Sequence, residues 1–352
     1  MSRSLLAWRW AAAILVAVSL TGWADATSAA DDNGTGIVAS IKPVHSIVSA
    51  VMLGVGEPQL LIRGASSPHT FSLRPSDAAV LADASVVFWI GAAMESSLAG
   101  PIAALAGDAR LVTLSQAPNL VRRPLREVGA FERHAHSDDD RSDAENERRG
   151  GDRDQEGVGH DARIFDMHVW LDPHNADAMA MMIADVLSEV DPANAEVYAR
   201  NATTVGQRLA ALTEDIDALV APARGQPFIM FHDAYRYFED RFGLSAVGSV
   251  VVSLERTPGV KRVRALRAMV RELGAVCVFS EPQFQPSLVG TIIEDTQARS
   301  GVLDPLGAGI ESGPELYFTL LRRMADSFRT CLEPDASPRA DRALSGQDSS
   351  GG

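Results

Sequence analysis

Positive charge is scarce in this sequence. Its 32 lysine and arginine residues stand against 46 aspartate and glutamate residues, which gives a formal net charge of −14. Residues 1–30 contain two Arg and one Asp, so the chain without them has 30 basic and 45 acidic residues and a net charge of −15. This balance argues against nucleic acid as a partner, and it favours solubility and the attraction of cations.

Long hydrophobic runs are absent beyond the N-terminus. There, Arg3 and Arg9 precede the apolar stretch AAAILVAVSL (11–20), and small residues follow it as ADA and SAA. The apolar stretch is short for a bilayer span, so we predict a cleaved signal peptide over residues 1–30, with a membrane anchor as the alternative. No cysteine lies near the cleavage sites, which argues against a lipid anchor. We expect the mature chain in the bacterial periplasm.

Cysteine is nearly absent, with Cys277 and Cys331 as the whole set. In the oxidising compartment that export implies, an even pair favours a disulfide bond, and two unrelated buried thiols are the alternative. A bond would connect the apolar segment AVCVF to the last predicted helix. It would close a loop of about 54 residues and stabilise the fold by ~3–4 kcal/mol on the chain-entropy model.

The sequence does contain a regular alternation of strand-like and helix-like segments. The predicted strands of the first half are GIVASI (36–41), QLLIRG (59–64), ASVVFWIG (84–91) and ARLVTL (109–114). MHVWLD (167–172) is predicted as a further strand, followed by a helix over 177–189. Near-continuous apolar strands between helices predict parallel sheets covered on both faces.

The second half repeats this alternation. Its predicted strands are PFIMFHDA, SAVGSVV, AVCVFSEP and GVLDPLG, and its predicted helices are GVKRVRALRAMVRELG, QPSLVGTIIEDTQARS and PELYFTLLRRMADSFRTCL. Between the halves, Asp191 is a good N-cap, Pro192 suits the first helical position, and Pro222 ends the segment. A helix of about 29 residues would be roughly 43 Å long.

We therefore predict an α/β fold of two lobes, each a parallel-rich sheet flanked by helices, joined by one long helix. The predicted segments are an N-terminal lobe over 31–191, a linking helix over 192–221, a C-terminal lobe over 222–333, and a disordered tail over 334–352. A charged loop over 132–163 interrupts the first lobe.

Three histidines stand out by their position relative to the predicted strands. His69 and His232 follow strand ends, one in each lobe, and His168 begins the strand predicted over 167–172. Ligand sites in open α/β sheets form at the carboxyl ends of strands, and three imidazoles around one cleft suit zinc. The alternative for each alone is a half-buried, hydrogen-bonded histidine.

Supporting carboxylates can be proposed from proximity in sequence. A zinc-bound imidazole needs an acceptor on its other ring nitrogen, and Asp166 and Asp233 are close enough for that role, with surface salt bridges as the alternative. Asp304 is a candidate fourth ligand; the alternatives are that it caps a turn and that water is the fourth ligand. Glu281 is a weaker candidate for the fourth ligand; the alternative is that its side chain forms a hydrogen bond to the hinge. Outside this set, His45 and His174 are expected to cap helices or lie on the surface.

Five motifs, in order, resemble a known family. GASSPHTFSLRPSD, DMHVWLDP, FHDAYRYFE, FSEPQFQP and LDPLG look like the periplasmic zinc-binding proteins of ATP-driven zinc uptake systems, the cluster A-I metal-binding solute-binding proteins. The resemblance runs from IVASIKPVHSIV to SFRTCL. It implies two α/β lobes and a single rigid linking helix.

The resemblance also implies the ligands and the disulfide. It assigns metal binding to His69, His168 and His232, and it matches Cys277 and Cys331 to a bridge found in the zinc branch. Manganese-type relatives usually have Glu at the third ligand, so His232 favours zinc. Some zinc-type relatives have Glu before the first ligand, where this chain has Pro68, which leaves Asp304 or water in the fourth position.

The charged loop over 132–163 resembles the His-rich acidic insert of zinc-type relatives. It holds 11 acidic residues, six Arg and three His, namely His134, His136 and His160. We read it as a weak zinc-collecting loop and not as the tight site, because ligands on a floppy loop lose entropy on binding. A plain disordered charged loop is the alternative.

These observations predict a periplasmic protein that captures Zn²⁺ in a cleft between the lobes and delivers it to the membrane permease of an ABC transporter. We expect a monomer without enzymatic activity, with a periplasmic zinc chaperone as a further partner. The alternatives are a manganese or iron carrier of the same fold and a zinc-dependent hydrolase; adhesin activity has only kinship to support it. The sequence lacks both HExxH and G-x-S-x-G, which argues against the hydrolase.

Overall fold

The computed structural model describes residues 36–126, 165–250, 259–284 and 287–333. The predicted signal peptide, charged loop and tail lie outside these residues. Within them, the predicted α/β fold is confirmed: there are two four-stranded sheets, and every strand pair in both is parallel. No helix in the described segments has the length and apolarity to cross a membrane.

The N-terminal lobe is built on a sheet with the order β2-β1-β3-β4. Its strands are β1 (Ile37–Ala39), β2 (Gln59–Leu60), β3 (Val86–Trp89) and β4 (Arg110–Thr113). Its helices are α1 (Lys42–Val51), α2 (Pro75–Ala82), α3 (Ser96–Leu105) and α4 (Pro173–Val190). The central strands β1 and β3 are buried along their whole length, as their unbroken apolar runs predict.

The linking helix is α5 (Ala195–Val220), extended at its ends by 3₁₀ turns over Pro192–Asn194 and Ala221–Ala223. Its buried face contains Val205, Leu209, Leu212 and Ile216, a stripe whose four- and three-residue steps are typical of one apolar face of a helix. This helix packs against α4 along the first lobe and against α1. It is therefore packed along one face and is not a free rod between the lobes.

The C-terminal lobe is built on a sheet with the order β6-β5-β7-β8. Its strands are β5 (Phe228–Met230), β6 (Ala246–Ser249), β7 (Cys277–Ser280) and β8 (Arg299–Val302). Its helices are α6 (Arg236–Phe242), α7 (Val260–Glu272), α8 (Ser287–Ile293) and α9 (Leu316–Leu332). The disulfide bond is confirmed: it joins Cys277 of β7 to Cys331 of α9, with their Cα atoms 6.0 Å apart.

Two segments of the chain differ from their predicted structure. Residues 167–172 are not a strand but contain a 3₁₀ turn over Val169–Leu171, and α4 begins at Pro173, four residues before the predicted start. The segment is apolar because it is buried on all sides, with Trp170 fully enclosed. Burial alone does not distinguish a strand from another backbone conformation. Asp172 caps α4 by accepting a hydrogen bond from the His174 amide, which allows the early start.

The second difference lies in the C-terminal lobe. The helix predicted over QPSLVGTIIEDTQARS ends at Ile293, and its last residues belong to β8. Asp295 adopts a left-handed conformation with φ 57°, which a continuing helix cannot accommodate. GVLDPLG accordingly lies mostly beyond the strand, and Asp304 sits in the turn after it.

The larger of two hydrophobic core clusters among the described residues extends through both lobes, and the smaller one lies within the C-terminal lobe. The larger cluster includes residues of β1 and β3, the stripe of α5, strand β5 and most of α9. Helix α9 contacts both α1 and α5. The lobes therefore share packed side chains on the side of the linking helix, while the carboxyl ends of their strands face the site described next.

Candidate metal centre

His69 lies in the loop between β2 and α2. A turn closed by the Thr70 amide bonding to the Ser67 carbonyl at 3.3 Å shapes the loop there, and the His69 amide donates to Ser67 Oγ at 3.3 Å. The His69 side chain is half-buried, so one side of the site is less enclosed than the other. The loop presents this ring from the N-terminal lobe.

His168 precedes the 3₁₀ turn and is 5% exposed. Its Nδ1 is 2.7 Å from Asp166 Oδ1, and the same oxygen accepts the His168 amide at 3.0 Å. Since an ionised carboxylate can only accept, Nδ1 carries the proton and Nε2 keeps its lone pair. The predicted supporting role of Asp166 agrees with this contact.

His232 follows β5 and is 4% exposed. Its Nδ1 is 2.6 Å from Oε1 of Glu281, which follows β7 and is itself 2% exposed. Strands β5 and β7 are neighbours in the sheet, so the residues that follow them meet at the same edge. His232 is therefore oriented like His168, with Nδ1 held by a carboxylate and Nε2 turned to the other side.

The three imidazoles meet between the lobes. One ring nitrogen from each of His69, His168 and His232 can be chosen so that all lie within 4.8 Å of one another, and the Nε2 atoms of His168 and His232 are 3.5 Å apart. Nitrogens on a tetrahedral zinc ion at 2.0–2.1 Å are about 3.4 Å apart. Small side-chain movements therefore suffice to bring all three onto one ion.

The imidazoles line a small, partly open cavity. Its volume is about 20 Å³, and its wall includes Trp170 from the first lobe and Gln283, Phe284 and Leu306 from the second. A volume of this size is that of roughly one water-sized sphere. The cavity thus has the size for a single ion with a small ligand.

The two buried histidines differ in their proton affinity. Burial, and then the nearby His232, holds the pKa of His168 well below the usual value for imidazole. Burial also acts against charge on His232, but the carboxylates of Glu281, Asp233 and Asp166 together outweigh it, with Glu281 contributing most, so the pKa of His232 is raised. Of the two rings, His232 therefore holds a proton more tightly.

Comparison with known proteins identifies the family. The family zinc-uptake complex component A, periplasmic (ZnuA), matches residues 37–331 of this chain. The chain belongs to the ZnuA family. Members of this family are periplasmic components of zinc-uptake complexes, so the chain is a transport component and not an enzyme.

Relatives support the assignment over most of the length. The high-affinity zinc uptake system protein ZnuA of Brucella abortus (strain 2308) is 45% identical over 326 residues, which are 90% of this chain and 97% of the relative. A crystal structure of a ZnuA protein superposes with a TM-score of 0.67 at 22% identity, covering 84% of this chain and 98% of that one. The solute-binding protein FpvC of Pseudomonas aeruginosa, solved with Mn²⁺, gives 0.67 at 20% identity, covering 84% and 97%. The two structures show the shared fold.

Asp304, predicted as a fourth ligand of the ZnuA-type site, lies outside the histidine group. Its Oδ1 accepts hydrogen bonds from the Leu306 and Gly307 amides at 3.1 and 2.9 Å, and its Oδ2 accepts one from the Ala308 amide at 2.6 Å. Oδ1 also accepts from Gln283 Nε2 at 3.1 Å. In this structure Asp304 has the position of a turn cap, the alternative that the sequence left open.

The remaining candidates have other surroundings. Asp233 forms an ion pair with Arg126 at 2.9 Å, and Glu281 is the carboxylate that orients His232. His45 was expected at a cap or on the surface, but it is buried in α1, where its Nε2 is 3.0 Å from the Pro58 carbonyl oxygen. His174 is exposed, as expected. His134, His136 and His160 lie outside the described residues.

Sequence reasoning missed the role of Glu281 as the partner of His232. It assigned this carboxylate to direct coordination or to the hinge, and it looked for the partner of His232 next to it in sequence, at Asp233. The available signal was strand order, since β5 and β7 are neighbouring parallel strands and their carboxyl ends therefore lie side by side. Proximity in sequence found Asp166 because the Asp-x-His turn is local.

Proposed function

We propose that the protein binds Zn²⁺ in the cavity between its lobes through His69, His168 and His232 and delivers it to the membrane permease of an ABC transporter. The observation that carries the proposal is the convergence of three imidazole nitrogens within 4.8 Å. Membership of the ZnuA family supports the cargo, because the relative from Brucella abortus is a high-affinity zinc uptake protein.

The surroundings of the rings favour metal binding over a hydrogen-bonded histidine cluster. Two of the three rings have Nδ1 held by a buried carboxylate, at 2.7 Å from Asp166 and 2.6 Å from Glu281. This pairing fixes the tautomer and increases the basicity of the nitrogen that faces the centre. Two Nε2 atoms at 3.5 Å cannot both be protonated without repulsion, and a shared cation removes that conflict.

Zinc fits the ligand types better than manganese or iron does. The group contains only imidazoles, which suit zinc, whereas manganese favours carboxylate and water oxygens. The alternative of a manganese carrier retains support from the fold, because FpvC was solved with Mn²⁺. Competition between Zn²⁺ and Mn²⁺ for metal-free protein separates the two, and preference for Mn²⁺ would favour the alternative.

Capture would take place in the periplasm, after removal of the predicted signal peptide over residues 1–30. The protein would act as a monomer, receive zinc directly or from a periplasmic chaperone, and dock on the permease when loaded. The loop over 132–163, with His134, His136 and His160, would collect zinc weakly near the tight site. Deleting residues 133–162 should therefore reduce the zinc content of the purified protein at saturation but leave one tightly held ion, as measured by elemental analysis.

The ligand assignment is tested by single substitutions. His69→Ala, His168→Ala and His232→Ala should each weaken zinc binding at least about 100-fold, since loss of an orienting group alone costs 10–100-fold. His174→Ala, a change at an exposed histidine, is the matched control and should bind like wild type. Competition with a chromophoric chelator measures both. Unchanged affinity in any triad variant removes that histidine from the site.

Delivery is tested in cells. A bacterium that lacks its own zinc-uptake binding protein and carries the permease partner should grow in chelator-treated medium with the wild-type gene. The His232→Ala variant should not support growth at equal expression. Growth with the triad variants would contradict delivery from this site.

A further inference from the structure

The side-chain amide of Gln283 bridges the cavity and the turn that contains Asp304. Gln283 lines the cavity together with the three histidines. Its Nε2 donates to Asp304 Oδ1 at 3.1 Å. Its Oε1 is buried and has no hydrogen-bond partner among the described residues. A buried carbonyl oxygen without a partner is rare in folded proteins, so we expect this oxygen to accept a hydrogen bond.

The orientation of the amide follows from its partner. The Asp304 carboxylate accepts the amide hydrogens of Leu306, Gly307 and Ala308, so it can only accept from Gln283 as well. The NH₂ group of Gln283 must therefore face Asp304, and the carbonyl oxygen must point to the other side of the amide. Asp304 is not part of the cavity wall, whereas Gln283 is. The oxygen is thus directed away from Asp304, on a side chain that lines the cavity.

We propose that Gln283 Oε1 accepts a hydrogen bond from a water molecule that fills the fourth coordination position of the bound zinc ion. This inference rests on the proposed function. Three imidazoles leave one tetrahedral position, and a metal-bound water has hydrogens to donate and needs an acceptor. The cavity of about 20 Å³ has room for a ligand of that size.

Asp304 then acts through Gln283 as a positioning residue. To bind the ion directly, Asp304 would have to turn away from the hydrogen bonds that hold its own turn together. Glu281 is held by His232 at 2.6 Å. Of the polar groups that line the cavity in the described chain, the Gln283 oxygen is the buried acceptor left without a partner.

The direct test is a crystal structure of the zinc-loaded wild-type protein. We expect a water molecule on the ion, within hydrogen-bonding distance of Gln283 Oε1. A carboxylate oxygen of Asp304 in the fourth position, or a metal-bound water whose acceptor is another group, overturns the proposal. Zinc absent from the three histidines would instead overturn the proposed function, so the two failures are distinguishable.

The second test is in solution. Gln283→Leu introduces a side chain of similar size and removes both the acceptor and the Nε2 donor to Asp304, and it should weaken zinc binding about tenfold. In the cobalt-substituted protein, the same change should shift the visible absorption bands because it alters the water ligand. Gln207→Leu, the same change at an exposed position of α5, should leave both readouts unchanged. Wild-type affinity and an unshifted cobalt spectrum in Gln283→Leu overturn the proposal while leaving zinc binding by the histidines intact.

Discussion

At the scale of single residues, two histidines with similar partners acquire opposite properties. His168 and His232 are both buried, and each bonds a carboxylate through Nδ1. Burial and its neighbour His232 lower the pKa of His168, whereas Glu281 raises the pKa of His232 against the effect of burial. A proton and a zinc ion therefore compete mainly at His232, and binding of the ion releases that proton.

This competition predicts how zinc affinity depends on pH. Because the pKa of His232 is raised above 6.5, affinity should begin to fall at a pH above 6.5 as the solution is acidified. Glu281→Gln removes the raising charge, so the fall should begin at lower pH, and affinity at high pH should drop 10–100-fold. Titration calorimetry between about pH 5 and pH 8 measures both effects.

Asp166→Asn is the matched comparison. It should also weaken zinc binding at high pH, but it should move the start of the fall to lower pH by less than Glu281→Gln does, because Asp166 contributes less than Glu281 to the raised pKa of His232 and the pKa of His168 is already low. Equal affinity of wild type at about pH 7.5 and about pH 5 would contradict coordination by three histidines.

Glu95 is a buried carboxyl group that should make the stability of the protein depend on pH. Its carboxylate accepts hydrogen bonds from Ser40 Oγ and from the Ile90 and Gly91 amides at the ends of β1 and β3. Burial raises its pKa from 4.5 to about 7 despite these bonds. The folded protein then holds the proton more tightly than the unfolded chain, so this group's stabilising contribution is complete below pH 4.5 and is lost as the pH rises to about 7.

We therefore predict that Glu95→Gln changes the pH dependence of stability. As the pH rises from 4.5 to 8, the unfolding free energy of the wild type should fall by about 3 kcal/mol relative to that of the variant, at 1.36 kcal/mol per pKa unit. Urea unfolding at the two pH values measures it. Glu196→Gln, at an exposed position of α5, should follow wild type. A constant difference between wild type and Glu95→Gln would contradict the raised pKa.

At the scale of elements, the turn after β8 is held by the opposite lobe. Lys42, the first residue of α1, donates to the carbonyl oxygens of Gly307, Ala308 and Ile310 at 2.7, 3.3 and 2.5 Å. Trp170 Nε1 donates to the Pro305 carbonyl at 2.9 Å. Because Pro305 and Leu306 line the cavity, these bonds position one wall of the metal centre.

Lys42→Met is expected to loosen this wall. The change removes a charged donor and leaves three carbonyl groups without it, so the free energy of unfolding should fall by about 1.5–3 kcal/mol. Zinc binding should weaken as well, because the cavity loses its preformed shape. Urea unfolding and chelator competition measure the two effects. Lys261→Met, at an exposed position of α7, is the control, and a Lys42→Met variant that behaves like it would contradict the role of this contact.

The elements also show where sequence patterns succeed and fail. The strands β1, β3, β5 and β7 and the stripe of α5 were predictable, because period and flanking turns agree there. Residues 167–172 were not, because a segment enclosed on all sides is apolar whatever its backbone conformation. The end of α8 was missed because it depends on a left-handed residue, Asp295, that the apolar pattern does not reveal.

At the scale of the whole molecule, the lobes are joined by more than the linking helix. Arg241 of α6 forms two hydrogen bonds with Asp172 of the first lobe, at 2.7 and 2.8 Å. Tyr317 of α9 donates to the Trp170 carbonyl at 2.5 Å, and the hydrophobic core is continuous across both lobes. Opening the cleft widely would break these contacts together.

We therefore expect zinc loading to change loops and side chains but not the overall dimensions. Small-angle X-ray scattering should give the same radius of gyration for the metal-free and zinc-loaded protein within error. The variant Arg241→Ala, which removes one interlobe contact, should show whether a difference emerges when the lobes are less constrained. A clear contraction of the wild-type protein on adding zinc would contradict a rigid arrangement and indicate hinge closure.

The sequence by itself determined the two α/β lobes, the helix between them, the disulfide pair and the candidates His69, His168 and His232. The lobes and the helix depend on periodicity and capping residues, and His69 and His232 depend on the rule that sites form at strand ends. The disulfide depends on an even cysteine pair in an exported chain, and His168 depends on its grouping with the other two histidines and on the family resemblance. Tertiary structure decided which carboxylate supports which ring, that Asp304 caps a turn, and that Lys42 holds the wall of the cavity. These depend on contacts between residues far apart in the chain, such as Lys42 and Gly307, whose proximity arises only when both lobes pack on one core.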